Sequence, residues 1–250
     1  MIDVTVAIPT YDMSNIIWLQ LESLCLQKTK YPWEIIICEE PSPKFTGINY
    51  VLSYEKRLKE AGCQNISHIF LEDKTPLSMK WKIIAEQARG SSFLLAAADD
   101  YSSPGRIETS HTKMLEGYDW FDVKAGLFLN INTFETATYN GPVRSTALEM
   151  CTKTKYIRDL VGPPWPERGI DNWIFNQIKP RNPFRSSMIH SSLHTDGANK
   201  ISSNRRGYYS NGKYWRPFMK PILKVSDILP KKIHDRLKLQ FGGVSYLADT

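Results

Sequence analysis

A three-layer α/β/α fold with a mostly parallel central sheet is what this sequence predicts, and three observations carry the prediction. Short apolar runs alternate with helix-length segments through the first hundred residues, and each run is closed by a loop rich in Pro, Ser or Gly. Carboxylates recur just past two of these runs: Glu39 and Glu40 after one, Asp99 and Asp100 after another. Alternating strands and helices of this length imply right-handed crossovers, which bring the loops after the strands to one edge of the sheet. Open α/β sheets hold their ligands at that edge.

The elements follow in order. Val4 to Ile8 is a strand ended by Pro9-Thr10-Tyr11-Asp12, after which Ser14 is expected to N-cap a helix with Ile17, Leu21 and Leu24 on one face. Glu34 to Cys38, centred on three isoleucines, is a second buried strand delivering Glu39 and Glu40 to the loop Pro41-Ser42-Pro43. A helix is expected from Tyr50 to Ala61 with Gly62 as its stop, a third strand from Ile66 to Leu71, and a helix opened by Pro76, running through Ala88 and closed by Gly90. Phe93 to Ala98 is the fourth strand, with Asp99 and Asp100 directly before Tyr101-Ser102-Ser103-Pro104. Adjacent carboxylates repel and are costly to desolvate, so at a sheet edge they point to a hard divalent cation, Mg²⁺ or Mn²⁺. A solvated Asp-Asp turn is the alternative.

The second half alternates shorter candidate strands with polar loops. Phe121 to Phe134 reads as one or two strands around Gly126, and Thr146 to Thr152 as another. Pro163-Pro164-Trp165-Pro166 forms a stiff loop leading to Glu167, Arg168, Gly169 and Asp171. Asp171 stands at the expected N-cap of a helix that has Ile174 and Ile178 on one face and ends at Pro180. His190 and His194 are four apart, but Ser191-Ser192 and Thr195-Asp196-Gly197 argue for a strand running into a loop rather than a zinc-binding helix. Lys200, Arg205 and Arg206 lie on a Ser/Asn-rich loop suited to fold over a diphosphate as a lid.

Composition fits one enzyme-sized unit. The chain has 250 residues, 42% hydrophobic and 23% charged, enough for a full core without a second domain. No apolar stretch approaches a membrane span and the N-terminus lacks a signal-peptide pattern, so the expected location is the cytoplasm. The four cysteines, Cys25, Cys38, Cys63 and Cys151, are scattered without a CxxC pair and read as buried thiols. Charge is uneven: residues 1–130 hold 13 Lys and Arg against 17 Asp and Glu, and the remainder 19 against 9. Between Lys179 and Lys220 the cations face a single acid, Asp196, with Phe184, Tyr208, Tyr209, Tyr214, Trp215 and Phe218 interleaved. Cations among aromatic rings suit a polyanion with bases to stack, so segment 179–220 makes DNA a candidate acceptor. Two alternatives stand beside it: cations serving only a donor diphosphate with the rings in the core, and Lys220 to Lys238 as a basic amphipathic segment against a membrane surface.

Four stretches in this order resemble the GT-A nucleotide-sugar glycosyltransferases, especially glycosyltransferase family two. They are Val6-Ala7-Ile8-Pro9-Thr10-Tyr11-Asp12, then Glu34-Ile35-Ile36-Ile37-Cys38-Glu39-Glu40-Pro41-Ser42, then Lys80-Trp81-Lys82 on a helix, then Ala88 through Asp99-Asp100 to Pro104. The resemblance covers residues 2 to about 108 closely. It implies a single Rossmann-like GT-A domain over 1–250, with a nucleotide-sugar-binding half (1–108), an acceptor-binding and catalytic half (109–220) and a basic C-terminal tail (221–250). It further implies that Pro9, Thr10, Tyr11, Asp12, Glu39 and Glu40 hold the nucleoside, and that Asp99 and Asp100 meet ribose, metal and diphosphate. Lys80 or Lys82 is the phosphate contact, with Lys200, Arg205 and Arg206 beyond it, His194 completes the metal shell, and Asp171 is the catalytic base with Glu167 in reserve. The implied cofactor is a divalent cation, Mn²⁺ or Mg²⁺, and the implied donor a nucleoside-diphosphate sugar, with uridine the commonest nucleoside in the family.

Three departures stand. The first acid of the family's Asp-X-Asp pattern falls on Ala97, which leaves open how Asp99 and Asp100 divide metal and ribose. The usual Asp-Asp after the second strand is Glu39-Glu40, and the acid usual before the base is Ile170. The resemblance implies inverting transfer to an acceptor hydroxyl. Three readings follow: a hydroxymethylated base in DNA, as in enzymes of phage origin acting in a host cytoplasm; a surface polysaccharide or lipid-linked glycan; or an inactive nucleotide-sugar binder.

Overall fold

The computed structural model describes residues 1–42, 51–123, 126–131, 134, 136–139, 150–163, 165–166, 170–186, 192–196, 219–220 and 225–241. Four parallel strands form the centre of the main sheet: β1 (Val4–Thr10), β2 (Trp33–Glu39), β3 (Cys63–Phe70) and β4 (Ser92–Leu95). Beyond β4 lie β6 (Trp120–Val123), β9 (Cys151–Lys153) and β10 (Pro183–Ser186), giving the order β10-β6-β9-β4-β1-β2-β3, with β9 antiparallel to both its neighbours. A second sheet has the order β12-β8-β7-β11-β5 and contains β5 (Tyr101–Ser102), β7 (Gly126–Asn130), β8 (Thr136–Tyr139), β11 (Ser192–Asp196) and β12 (Met219–Lys220).

The central strands are apolar on both faces because both faces are covered. Successive side chains of a strand point to opposite sides, and here Val4, Val6, Ile8, Ile35, Ile37 and Leu94 enter one core cluster while Ala7, Ile36, Cys38, Phe93 and Leu95 enter the other. On the first side the sheet is packed by α1 (Ile17–Leu24), α2 (Glu55–Glu60), α4 (Arg106–Leu115), α7 (Val225–Ile228) and α8 (Lys231–Phe241). On the second it is packed by α3 (Leu77–Gln87), α5 (Thr154–Arg158) and α6 (Ile170–Ile178). Three layers result, as expected.

Several boundaries differ from the sequence reading. Ser14 does not cap α1. The helix is entered through Ile16, without a side-chain cap, and the Met13 carbonyl accepts from the amides of Ile16 and Ile17. The fourth strand stops at Leu95; Ala96 N–H still bonds Ala7 O at 2.9 Å, and the chain then turns away, Asp100 N–H meeting Ala97 O at 3.4 Å. Alanine has little preference for a strand, so the apolar run outlasts the strand. Asp171 lies inside α6, in its first turn rather than at the cap, because the helix begins one residue earlier. Of the expected strand 146–152, residues 150–152 are described, and β9 runs over Cys151–Lys153, one residue beyond the expected end.

The C-terminal basic segment has its apolar side inside the fold. Ile233 and Leu237 of α8 are buried in the first cluster, the Arg236 guanidinium stacks 3.9 Å over the Trp18 ring, and Trp18 Nε1–H donates to Gln240 at 2.9 Å. Among the described residues no helix is long and apolar enough to cross a membrane.

Candidate active site

Parallel pairing of β1, β2, β3 and β4 sets the loops after them along one edge. Pro9 and Thr10 close β1, opposite Cys38 and Glu39 of β2. Pro9 lacks an N–H, and Asp12 adopts a left-handed backbone (φ 54°), which aspartate tolerates better than most residues. The chain thereby turns sharply out of the sheet toward α1. In this loop and the one after β2, Thr10 Oγ1, Asp12 Oδ1, Asn15 Oδ1 and Ser42 Oγ are buried without a hydrogen-bond partner among the described residues. Buried polar atoms are nearly always paired, so this grouping marks where a polar ligand belongs.

Lys80 joins the two loops. Its ammonium is only 4% exposed, donates to Thr10 O at 3.0 Å, lies 3.0 Å from Glu40 Oε1 and stands 5.9 Å from the centre of the Tyr11 ring. It reaches them from the first turn of α3, whose start is fixed by Pro76 and by the amide of Thr75, which donates to Glu40 Oε2. Lys82 is directed elsewhere: it bonds Arg158 O and lies 3.5 Å from Glu86. Glu39 is fully buried, with its carboxylate 3.0 Å from His68 Nε2 on β3. His68 was not anticipated; the signal for it is the β2–β3 register, which sets Ile37 opposite His68 and brings the two side chains to one face.

The acidic turn occupies the same edge. Asp100 is 2% exposed and Asp99 half-buried. Ser192 pairs with Ser102 and Leu193 with Tyr101 in antiparallel register, and His194 follows Leu193 on β11, where it pairs with Phe128 of β7. Two carboxylates at this edge fit a hard divalent ion, which takes one or two protein carboxylates and completes its shell with water and phosphate oxygens. No group of three or more candidate ligands occurs among the described residues.

Asp171 reaches this end through α6. Ile170 and Ile174 pack with Trp81, Ile84 and Ala85 of α3, and Ser78 Oγ–H, at the start of α3, donates to Pro166 O at 3.1 Å. The N-terminal ends of α3 and α6 are thereby tied together, one bearing Lys80 and the other Asp171. Glu167, Lys200, Arg205 and Arg206 lie outside the described residues. Two members of the basic aromatic segment are engaged in the fold: Phe184 stacks on Phe121 at 6.0 Å and Arg185 lies 3.4 Å from Asp122.

A parallel β1–β4 core, an antiparallel β9 inserted beside β4, and an acidic turn feeding a second sheet define the GT-A nucleotide-sugar glycosyltransferase fold. Among solved structures, the chain is similar to residues 1–349 of Staphylococcus aureus TarS in complex with UDP-GlcNAc, with a TM-score of 0.64 and 18% identity over 82% of this chain and 62% of that one. It is likewise similar to a longer TarS structure (TM-score 0.61, 16% identity, 78% of this chain and 37% of that one). A third is the mannosyltransferase PcManGT from Pyrobaculum calidifontis in complex with GDP-Man and Mn²⁺ (0.54, 14%, 79% and 57%). The chain thus spans between 37% and 62% of the length of these three. No protein-family model matches the sequence, and no curated protein matches it.

Proposed function

We propose that the chain is a metal-dependent glycosyltransferase that moves a sugar from a nucleoside diphosphate, UDP first among them, to an acceptor hydroxyl with inversion at the anomeric carbon. The observation that carries this reading is one sheet edge where unpartnered polar atoms in the loops after β1 and β2 stand beside a buried acidic turn. The TarS and PcManGT complexes, with UDP-GlcNAc in one and GDP-Man with Mn²⁺ in the other, support the donor class and the ion.

In this reading Pro9, Thr10, Tyr11 and Asp12 form the nucleoside cradle, with Glu40 held toward it by Lys80 and Glu39 set behind by His68. Asp99 and Asp100, with His194 from β11, hold the divalent cation; Lys200, Arg205 and Arg206 attend the diphosphate. The bound ion neutralises charge developing on the departing nucleoside diphosphate. Asp171 accepts the proton of the attacking hydroxyl, which becomes acidic as the bond to the sugar forms.

The acceptor has two readings. The basic surplus of residues 179–220 favours a hydroxymethylated base in DNA. The engagement of Phe184 and Arg185 within the fold removes two members of that surface and favours a glycan or lipid-linked saccharide.

Incubating the protein with a panel of nucleotide sugars, Mn²⁺, hydroxymethylated DNA and simple saccharides, followed by mass spectrometry, tests donor and acceptor together. A hexose or N-acetylhexosamine increment on one acceptor is the expected result. No increment and no metal-dependent donor hydrolysis would leave only a nucleotide-sugar binder. Asp171→Asn is expected to lower turnover by roughly 10²–10⁴-fold while sparing nucleotide affinity; unchanged turnover would move the base to Glu167.

A further inference from the structure

Helix α1 carries a polar stripe where an apolar one would be expected from its burial. All eight of its residues are buried, Gln20 and Ser23 among them, and Gln27 follows three residues past its end. Positions 20, 23 and 27 share one face of a helix. That face grips the segment from the acidic turn to the start of α4. Ser23 Oγ accepts from Ser102 N–H at 3.0 Å, Gln27 Nε2 donates to Ser103 O at 2.8 Å, and Lys28 N–H donates to Pro104 O at 2.7 Å.

Gln20 makes the contact that matters for the aspartates. Its amide nitrogen donates to Ala97 O at 3.1 Å and Asp100 O at 2.9 Å, while its oxygen accepts from Ser102 Oγ–H at 2.9 Å. The reverse orientation would set the amide oxygen against two carbonyls. Ser102 Oγ in turn accepts from Arg106 Nη1 at 2.9 Å, and Arg106, 1% exposed, also bonds Leu95 O at the end of β4. One primary amide, with two donors and an acceptor, therefore ties both ends of the turn that contains Asp99.

We propose that Gln20 is a positioning residue for the cation site: by binding the carbonyls of Ala97 and Asp100 it fixes the spacing of the Asp99 and Asp100 carboxylates and so sets metal affinity. This rests on the glycosyltransferase reading above. Two neighbouring carboxylates repel and would splay an untethered turn; without Gln20 the Ala97 carbonyl would keep only the long bond from Asp100 N–H at 3.4 Å. A glutamate in place of Gln20 would not serve, because its oxygens would face the same carbonyls and add a third negative charge. The opposite end of α1 is anchored independently, since Gln240 of α8 bonds Trp18 and Asn15 O, so the helix links the nucleoside loop to the acidic turn as one rigid piece.

The test is calorimetric titration of UDP at a series of Mn²⁺ concentrations and in EDTA, for wild type, Gln20→Leu, Ser102→Ala and Thr5→Val. Outer-shell partners of metal ligands typically change metal affinity 10- to 100-fold. Gln20→Leu and Ser102→Ala are accordingly expected to raise the Mn²⁺ concentration for half-maximal UDP binding by roughly 10- to 100-fold, leaving UDP affinity in EDTA at the wild-type value. Thr5→Val, which removes a buried hydrogen bond to Glu34 far from the turn, is expected to lower the melting temperature without moving the Mn²⁺ curve. Should Gln20→Leu fail to fold, Ser102→Ala decides. Mn²⁺ curves that match wild type in the folded variants, or an equal loss of UDP affinity in EDTA, overturn the proposal. A wild-type protein whose UDP binding ignores Mn²⁺ overturns the donor-site reading and this one with it.

Discussion

Lys80 shows how a single side chain shapes the site. Its ammonium is buried between Thr10 O and Glu40 Oε1, each at 3.0 Å, so it is stabilised only as one half of a pair. Removing one partner of a buried pair typically costs about 3–5 kcal/mol, because the other charge is left without compensation. Lys80→Met is expected to destabilise the protein by about that amount, with Lys80→Met/Glu40→Gln recovering part of it, as measured by denaturant unfolding. A single variant as stable as the double would mean that Glu40 finds water instead. The pair between α1 and α2 behaves differently. Arg57 forks onto Glu22 at 2.7 and 2.6 Å and its hydrogen bonds hold the Glu22 carboxyl below its ordinary value of 4.5. A lowered folded pKa gives stability that is present above the unfolded value and lost as pH falls through the folded one. Arg57 is 42% exposed, so the contribution is small, on the order of 1 kcal/mol. Acid unfolding curves of wild type and Arg57→Ala are expected to draw together as pH falls below 4.5 and to meet once the folded Glu22 is protonated. The acids of the site were legible from sequence because adjacent carboxylates after apolar runs have few structural reasons to exist. Their partners, His68, Thr75 and Gln20, were not, because each is an ordinary residue made relevant by strand register or helix phase.

At the scale of elements, the βα units of the first hundred residues were legible because strands and helices alternate there and apolar residues cover both faces of the central strands. The ends of elements were less so: Ala96 to Ala98 extend an apolar run past the strand, and the entry to α1 is closed by the Met13 carbonyl instead of Ser14. Gly90, between α3 and β4 at the edge opposite the site, sits hard against the backbone of β1. A Cβ there would stand 2.5 Å from Thr5 N and from the Val4 carbonyl carbon, backbone atoms that cannot rotate away. Thr5, Glu34 and Arg89 close the same corner: Thr5 Oγ1 accepts from Gly90 N–H at 3.0 Å and donates to Glu34, whose carboxylate binds the Arg89 guanidinium at 2.9 Å. Gly90→Ala is expected to cost at least the upper end of the usual 1–3 kcal/mol for overpacking, about 3 kcal/mol. Nucleotide affinity of the folded fraction should be unchanged, because the site lies at the other ends of the strands. A variant of wild-type stability would show that β1 and β4 can separate at this corner.

For the molecule as a whole, the second sheet was beyond the reach of sequence reading for a physical reason. Strands around Gly126 and before Thr195-Asp196-Gly197 were expected, but β5 and β12 are two residues long and β11 pairs with β5 and β7 far away in sequence, so neither periodicity nor turn chemistry announces how the strands assemble. The burial of the cysteines was legible for Cys38, Cys63 and Cys151, while Cys25 is half-buried, and it has a global consequence. Burial pushes the thiol of Cys25 up to about 11 and those of Cys38, Cys63 and Cys151 up to about 12, from an ordinary 9.0. Burial likewise raises the Tyr101 phenol to about 12. These groups stay protonated in the folded chain while their unfolded counterparts ionise, so above pH 9 the unfolded state binds fewer protons and stability falls as pH rises. Each thiol steepens that slope by up to about 1.4 kcal/mol per pH unit, which predicts alkaline unfolding between the ordinary thiol pKa and 12. At pH 8 the thiolate, the reactive form, is nearly absent from the native protein. A disulfide-exchange reagent should therefore label the four cysteines only as fast as the chain opens, and denaturant should accelerate labelling in step with unfolding. Labelling at the free-thiol rate without denaturant would mean that the layers around β2, β3 and β9 admit water, and that the donor edge built on those strands is looser than its hydrogen bonds imply.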